Sequence, residues 1–215
     1  MSGGRKPHRP GDGSPDDDSL VREARQGDAR AFRTLVERYQ RRVYQLALGM
    51  VKDPDEAMDI TQETFVRVHR YLPSFKGDSA FFTWTYRIAT NLCLDAARRR
   101  GRSERVEIDE SDAEIEARMD PPSAAFAGPQ RAALNAELKA KIDDALASLS
   151  ENHRAILLLR EVEGLSYEEL ARALGIRKGT VMSRLFHARL KMQRKLREYL
   201  GDEAKDEDAQ GEDEE

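Results

Sequence analysis

Between Leu170 and Arg197 the chain carries nine lysines and arginines and no acid. A surface helix ordinarily mixes charge signs, so a stretch from which acids are excluded suits phosphate oxygens. Around it the residues have the period of two helices and a turn. Glu168, Leu170, Ala171 and Leu174 come first, then Gly175-Ile176, then Thr180, Val181, Leu185 and Ala188. This is helix-turn-helix spacing. Val181 and Leu185 are expected to face inward, with small Ala171 where the two helices approach. That leaves Lys178, Met182, Ser183, Phe186, His187 and Arg189 outside. With Thr180 and Arg184 they are the candidate set for reading a duplex. An ordinary helical hairpin with a basic face is the alternative.

A second group, Phe75, Phe81, Phe82, Trp84 and Tyr86, is interleaved with Lys76, Arg87 and Arg98-Arg99-Arg100. Rings among cations suit a single strand, because unstacked bases lie on rings while cations follow the backbone. Phe81 and Trp84 also sit at core spacing, which favours packing. Phe75 differs, since it follows a proline in a glycine-containing loop, and both readings stay open for it. A third group, Asp55, Glu56, Asp59, Gln62 and Glu63, lies opposite the apolar stripe of its helix, with Asp59 and Glu63 one turn apart. It is either a solvated face or a docking surface for a basic partner helix.

Enzyme chemistry has little support. His8, His69, His153 and His187 are scattered and share no ligand spacing with Cys93, so no metal site is expected. Neither a phosphate-binding glycine motif nor a nucleophile elbow occurs, and no cofactor is expected. Asp143-Asp144 reads as helix surface. Cys93, the only cysteine, reads as a small buried hydrophobe rather than a redox sensor, and one thiol cannot form an intramolecular disulfide.

These groups must be positioned by helices. Ala, Leu, Glu, Arg and Lys dominate and β-branched residues are sparse, so an all-α fold is expected. Residues 1–18, rich in Gly, Pro, Asp and Ser, read as a disordered leader. Ser19 precedes a short amphipathic helix as its cap. Phe32, Leu35, Val36, Tyr39, Val43, Leu46 and Met50 recur at helical spacing. Asp53-Pro54-Asp55-Glu56 starts the next helix, with a capping Asp, a first-turn Pro and acids at the positive dipole end. Ala57, Ile60, Thr64, Phe65, Val68 and Leu72 form its stripe, and Pro73 ends it. A further helix runs from about Ser79 to Arg100 with Phe81, Trp84, Ile88, Leu92 and Ala96 on one face. Residues 19–100 are thus one helical bundle.

Residues 101–130 lose the period and contain Pro121-Pro122, Gly128 and Pro129, as a flexible acidic linker would. Extended, these thirty residues reach roughly 100 Å at about 3.3 Å each. Residues 131–200 form the second helical domain. Ser150 caps a helix holding Ile156, Leu157, Leu159 and Val162, with Gly164 past its end. Ser166 and Glu169 have capping-box spacing, and a longer helix follows from about Lys178 to Tyr199. Residues 201–215 read as an acidic disordered tail, either solubilising or folding back on the basic stretch 170–197.

The overall charge of −4 averages segregated blocks. Residues 19–103 carry +6, 104–130 carry −6, 131–200 carry +5 and 201–215 carry −8. Two basic modules separated by acidic segments point to nucleic acid. The first twenty residues lack the apolar stretch of a signal peptide, and runs such as Ala155–Leu159 are too short to span a bilayer. A soluble cytoplasmic protein without membrane insertion is expected.

On these residues the chain resembles a known family. Asp55-Glu-Ala-Met-Asp-Ile-Thr-Gln-Glu-Thr-Phe65, Ser74-Phe-Lys-Gly-Asp-Ser-Ala-Phe-Phe-Thr-Trp84 and Arg87-Ile-Ala-Thr-Asn91 are similar to sigma region two. Gly164-Leu-Ser-Tyr-Glu-Glu-Leu170 and Gly179-Thr-Val-Met-Ser-Arg184 are similar to sigma region four. Two blocks in this order, with only a linker between, resemble the extracytoplasmic-function (ECF) group of bacterial RNA polymerase sigma factors. The resemblance implies a transcription-initiation factor that joins core RNA polymerase and recognises and helps melt promoter DNA, as a monomer in the holoenzyme. It implies that Asp55, Asp59, Gln62 and Glu63 grip the β′ clamp, with the β flap a second polymerase contact. Phe75, Lys76, Arg87 and Asn91 would serve the minus-ten strand, with Phe75 and Asn91 helping to capture a flipped base. The second helix of the helix-turn-helix would read the minus-thirty-five element. The linker would thread the polymerase cleft, and an anti-sigma factor is a further partner. Met182 and His187 stand where many members carry arginine. Arg reads guanine bidentately and Met offers only apolar contact, so an altered minus-thirty-five preference is expected. A stand-alone helix-turn-helix regulator and a signalling adaptor are the alternatives.

Overall fold

The computed structural model describes residues 16–103 and 129–210. The expected leader and linker fall largely outside these residues. Four helices build the N-terminal bundle: α1 (Asp17–Arg25), α2 (Ala29–Val51), α3 (Pro54–Tyr71) and α4 (Phe81–Ser103). Four more build the C-terminal domain: α5 (Pro129–Ala147), α6 (Glu151–Leu157), α7 (Tyr167–Leu174) and α8 (Lys178–Gln210). Every described element is helical.

Local chemistry sets most boundaries. Asp16, rather than Ser19, caps α1: its side chain accepts the Ser19 N–H, because the helix begins three residues earlier than the apolar pattern suggests. Asp28 accepts from the Arg30 and Ala31 amides at the start of α2. Asp53 accepts the Glu56 amide at 2.7 Å, with Pro54 in the first turn. A 3-10 turn, Leu72–Ser74, follows α3 and carries Pro73. Asp17 accepts from Arg38 and Tyr39, which pins α1 to α2.

The bundle core holds Leu35, Tyr39, Val43, Leu46 and Met50 of α2 with Ala57, Ile60, Thr64, Phe65 and Val68 of α3. Leu35 and Val43 have no exposed surface, and each such side chain contributes about 1.5–3 kcal/mol by leaving water. α4 departs from the single-face expectation. Phe81, Leu92 and Ala96 are buried and Trp84 and Ile88 half-buried, but Thr83, Tyr86 and Thr90 are buried as well.

The reason is the second domain, which packs α7 along α4. The seam centres on Glu163, which accepts from Arg42 Nε at 2.9 Å and from the Tyr86 hydroxyl. Lys52 pairs with Asp143 at 3.0 Å. Gly49 lies so close to Leu158 that a Cβ there would sit 2.9 Å from its Cδ1. Arg154 donates to Met50 O across the seam, and to the carbonyls of Leu146, Ala147 and Leu149 within its own domain.

In the C-terminal domain α6 continues into a π-helical turn, Leu158–Val162, and Gly164 adopts φ +73° beyond it. Ser150 is the residue at the α6 N-cap, but its hydroxyl meets His153 Nδ1 instead of a backbone amide. Val162, read as part of the apolar stripe, is 63% exposed, because the wider turn rotates it off the buried face. α8 continues to Gln210, ten residues into the segment read as a disordered tail. Its residues Ala204, Lys205 and Glu207 are strong helix formers that extend an established helix at little cost.

Candidate nucleic-acid interface

α7 and α8 meet as a helix-turn-helix. Ser166 accepts the Glu169 amide while Glu169 accepts the Ser166 amide at 2.7 Å, so the capping box starts α7. Gly175, at φ +64°, supplies the left-handed turn that a Cβ would strain. Leu170 and Ala173 of α7 and Val181, Leu185 and Ala188 of α8 are buried; Ala171, assigned to the close approach, is half-buried. Burial of 181, 185 and 188 turns the opposite face outward. Thr180, Ser183 and His187 are exposed there, with Met182 55% and Phe186 64% exposed.

The cations of this helix divide into two kinds. Lys178 pairs with Glu168 of α7. Arg184 is half-buried and reaches Asn152, and Arg189 donates twice to Glu161, at 2.6 and 3.1 Å. The Glu161 hydrogen bond holds the Arg189 guanidinium above its ordinary value. Lys191, Arg194 and Arg197 continue the exposed basic face. The outward face is thus an apolar and hydroxyl strip bordered by cations, a chemistry compatible with base edges and phosphates.

On the bundle, Phe75 is half-buried and stacks on Trp84, with ring centroids 4.7 Å apart and planes at 29°. Lys76 and Asp78 are exposed beside Gly77, whose φ is +78°. Arg87 and Asn91 are exposed on α4, three and seven residues beyond Trp84 and so on one helix face. The fold therefore assembles Phe75, Trp84, Arg87 and Asn91 into one strip. Sequence reasoning placed Trp84 among the packed rings, where it lies half-buried against the core, but not beside Arg87 and Asn91. The available signal was its i, i+3, i+7 relation to Arg87 and Asn91. Arg98 and Arg100 serve other ends: Arg98 pairs with Asp95, and Arg100 with Glu56 while donating to Val51 O.

Asp55, Asp59 and Gln62 are exposed on α3, and Glu63 is half-buried against Arg67. Met58 and Val66 are 48% and 52% exposed on the same stripe. Cys93 lies fully inside the bundle, and burial pushes its thiol up to about 12, far from the range of a reactive thiolate. Among the described residues no helix is long and apolar enough to cross a membrane, and no group of three His, Cys, Asp or Glu could hold a metal.

Comparison with known proteins joins these surfaces into one reading. Residues 35–103 match the model of Sigma-70 region 2 and residues 139–192 that of Sigma-70, region 4. The RNA polymerase sigma-H factor of Pseudomonas aeruginosa is 40% identical over 86% of this chain and 95% of its own. The ECF RNA polymerase sigma-E factor of Escherichia coli is 39% identical over 86% of this chain and 96% of its own. CnrH, solved with the cytosolic domain of CnrY, superposes with a TM-score of 0.62 at 27% identity, over 84% of this chain and 96% of that one. The Bartonella quintana sigma factor RpoE, solved with the anti-sigma factor NepR, shares the fold at a TM-score of 0.61 and 24% identity, over 77% of this chain and 96% of that one. Neither the stand-alone regulator nor the adaptor reading is favoured by these matches. The chain belongs to the ECF group of RNA polymerase sigma factors, which direct transcription initiation at promoters, and its two sigma domains imply core RNA polymerase and promoter DNA as partners.

Proposed function

We propose that three surfaces divide the work of this sigma factor. The α3 stripe of Asp55, Asp59, Gln62 and Glu63 docks on the β′ clamp, and the β flap supplies a second contact to the C-terminal domain. A merely solvated face has no use for two large apolar side chains, and Met58 and Val66 beside the acids suit a protein contact whose charges set the register. The strip of Phe75, Lys76, Arg87 and Asn91 captures the minus-ten strand, with Trp84 as the ring that backs Phe75. Flipping a base costs a few kcal/mol of stacking, and a pre-stacked pair of rings offsets that. The set Lys178, Thr180, Met182, Ser183, Arg184, Phe186, His187 and Arg189 reads the minus-thirty-five element.

The observation that carries this reading is the outward face of the acid-free stretch 178–197 of α8, over a buried Val181, Leu185 and Ala188. Transcription in vitro with purified core polymerase and a pool of promoter fragments tests it. Specific initiation is expected, and reversing Asp59 and Glu63 to Lys is expected to abolish it while leaving the helical content unchanged. Initiation that survives the reversal removes the α3 stripe from the reading. Met182→Arg is expected to shift the preferred minus-thirty-five sequence towards guanine, since a bidentate Arg–guanine pair is worth about 1–3 kcal/mol; an unchanged preference refutes Met182 as a reader. A restraining anti-sigma partner is supported by the two solved complexes, with CnrY and with NepR. The protein acts in the cytoplasm, as a monomer within the holoenzyme.

A further inference from the structure

We infer that His153, Arg184, His187 and Lys191 form one anion-binding cluster between α6 and α8, which seats a phosphate of the DNA backbone and takes up a proton from solvent as it does so. That the phosphate belongs to promoter DNA rests on the function proposed above; the cluster itself stands on the packing of the two helices.

α6 packs along α8. Arg184, His187 and Lys191 stand at i, i+3 and i+7 on α8, hence on one helix face. The Arg184 guanidinium donates to the Asn152 side chain, 3.4 Å away, which sets that face against the first turn of α6, where His153 is the next residue. The His153 ring is half-buried, with Nδ1 3.0 Å from the Ser150 hydroxyl. A hydroxyl both donates and accepts, so Ser150 serves the neutral ring and the charged one alike. With Nδ1 taken by the hydroxyl, Nε2 carries a hydrogen in both states and is left to donate to a ligand.

The charges that act on His153 come from α8: Lys191, Arg184 and His187 each oppose its protonation. Glu151, on its own helix, acts instead on Arg154, and α2 and α4, which also pack on α6, bring no charge to bear on the ring. His187 has Arg184 and Lys191 on its own helix face and His153 across the gap, and its ring meets that of Phe186 with centroids 5.4 Å apart. Other cations of α8 are answered by acids, Lys178 by Glu168 and Arg189 by Glu161. Among the described residues none of these four has an acid as partner. Like charges held together repel, and an anion placed among them reverses the sign of the interaction.

Burial first, then the three groups on α8, hold His153 below its ordinary value, so in the free protein the ring is neutral at neutral pH. A seated phosphate raises that value again. The gain in affinity is therefore complete below the free-state value and is lost as pH rises through the bound-state value. Phosphate contacts carry no sequence information, so the pH dependence is common to every duplex, unlike base reading.

The test uses the full chain and a short duplex of arbitrary sequence at low salt, with proton NMR of the imidazole rings and His69 of the bundle as internal reference. His153 should titrate about one unit higher with duplex than without, and the duplex should bind about ten-fold tighter near pH 6 than near pH 8. The slope of log affinity against log salt should be steeper by about 1 at the lower pH. His153→Gln and His187→Gln should each cut the ten-fold ratio to about three-fold, and the double substitution should abolish it. His187→Arg, charged at every pH, should tighten binding near pH 8. A His153 titration unmoved by duplex, a ratio that survives the double substitution, or a ratio that changes with base sequence would each overturn the cluster. Holoenzyme on a promoter fragment should show the same pH dependence. If holoenzyme neither binds nor initiates, the proposed function has failed, and the titration with arbitrary duplex still decides whether the cluster exists.

Discussion

The interior of the N-terminal bundle and the seam between the two domains are both buried, but they are built from different chemistry. The bundle interior is mostly apolar, with Leu35, Val43, Ala47, Ala57 and Val68 fully inside beside Tyr39, Phe65 and Thr64. The seam is apolar as well, with Gly49 against Leu158, but at Glu163 it pairs a carboxylate with the Arg42 guanidinium and the Tyr86 phenol. Aliphatic burial is non-directional and survives small shifts. A buried charge cluster works at one geometry and is exchanged for water at any other. One interior is closed by side-chain packing, the other by packing around a paired charge.

The contrast breaks most sharply at Leu35. Leu35→Ala removes a fully buried side chain and is expected to lower the stability of the bundle by about 2–5 kcal/mol in urea unfolding. A loss below about 1 kcal/mol would place that interior nearer to the seam in character. Glu163→Ala should leave the bundle's own midpoint nearly unchanged while splitting one unfolding transition into two, because it uncouples the domains. A single coincident transition for both domains, measured by near-ultraviolet circular dichroism and by hydrogen exchange, would contradict this.

Alkaline titration sharpens the comparison further. Burial, then the charge of Glu163 and the bond to it, hold the Tyr86 phenol above its ordinary value of 10.0. The packed value is raised above that of the opened state, so its contribution to closure is complete below about pH 10 and is lost as pH rises beyond that. The ultraviolet absorbance of tyrosine phenolates should therefore show a late-titrating component that Tyr86→Phe removes. The smallest effect is expected at Ser166. Ser166→Ala removes half of the capping box and should cost about 1 kcal/mol, seen as faster amide exchange at the start of α7 with the seam intact.

Local chemistry was readable from the sequence wherever the partner is near in the chain. The stripes of α2 and α3, the Asp53 cap, the Ser166–Glu169 box and the outward face of α8 all depend on residues a few positions apart. The seam was not readable. Arg42 and Glu163 are 121 residues apart, and Thr83, Tyr86 and Thr90 form a face too polar to be taken for a buried one. Trp84 packs against the core as its spacing predicts, but its stacking on Phe75 was hidden, because a half-buried ring at core spacing and a ring that backs another aromatic have the same period. At Val162 a π-helical turn broke the regular spacing on which the reading depended.

Arg154 ties the C-terminal domain to itself more than to the bundle. Its guanidinium gathers three carbonyls where α5 turns into α6 and one, Met50 O, from the end of α2. Separation takes away only the last of these. The bend that sets α6 under α8 is cross-braced from within, so the C-terminal domain keeps its shape without help from the bundle. Lysine, a point charge without the planar fork, would loosen that brace whether the molecule is shut or spread along a promoter.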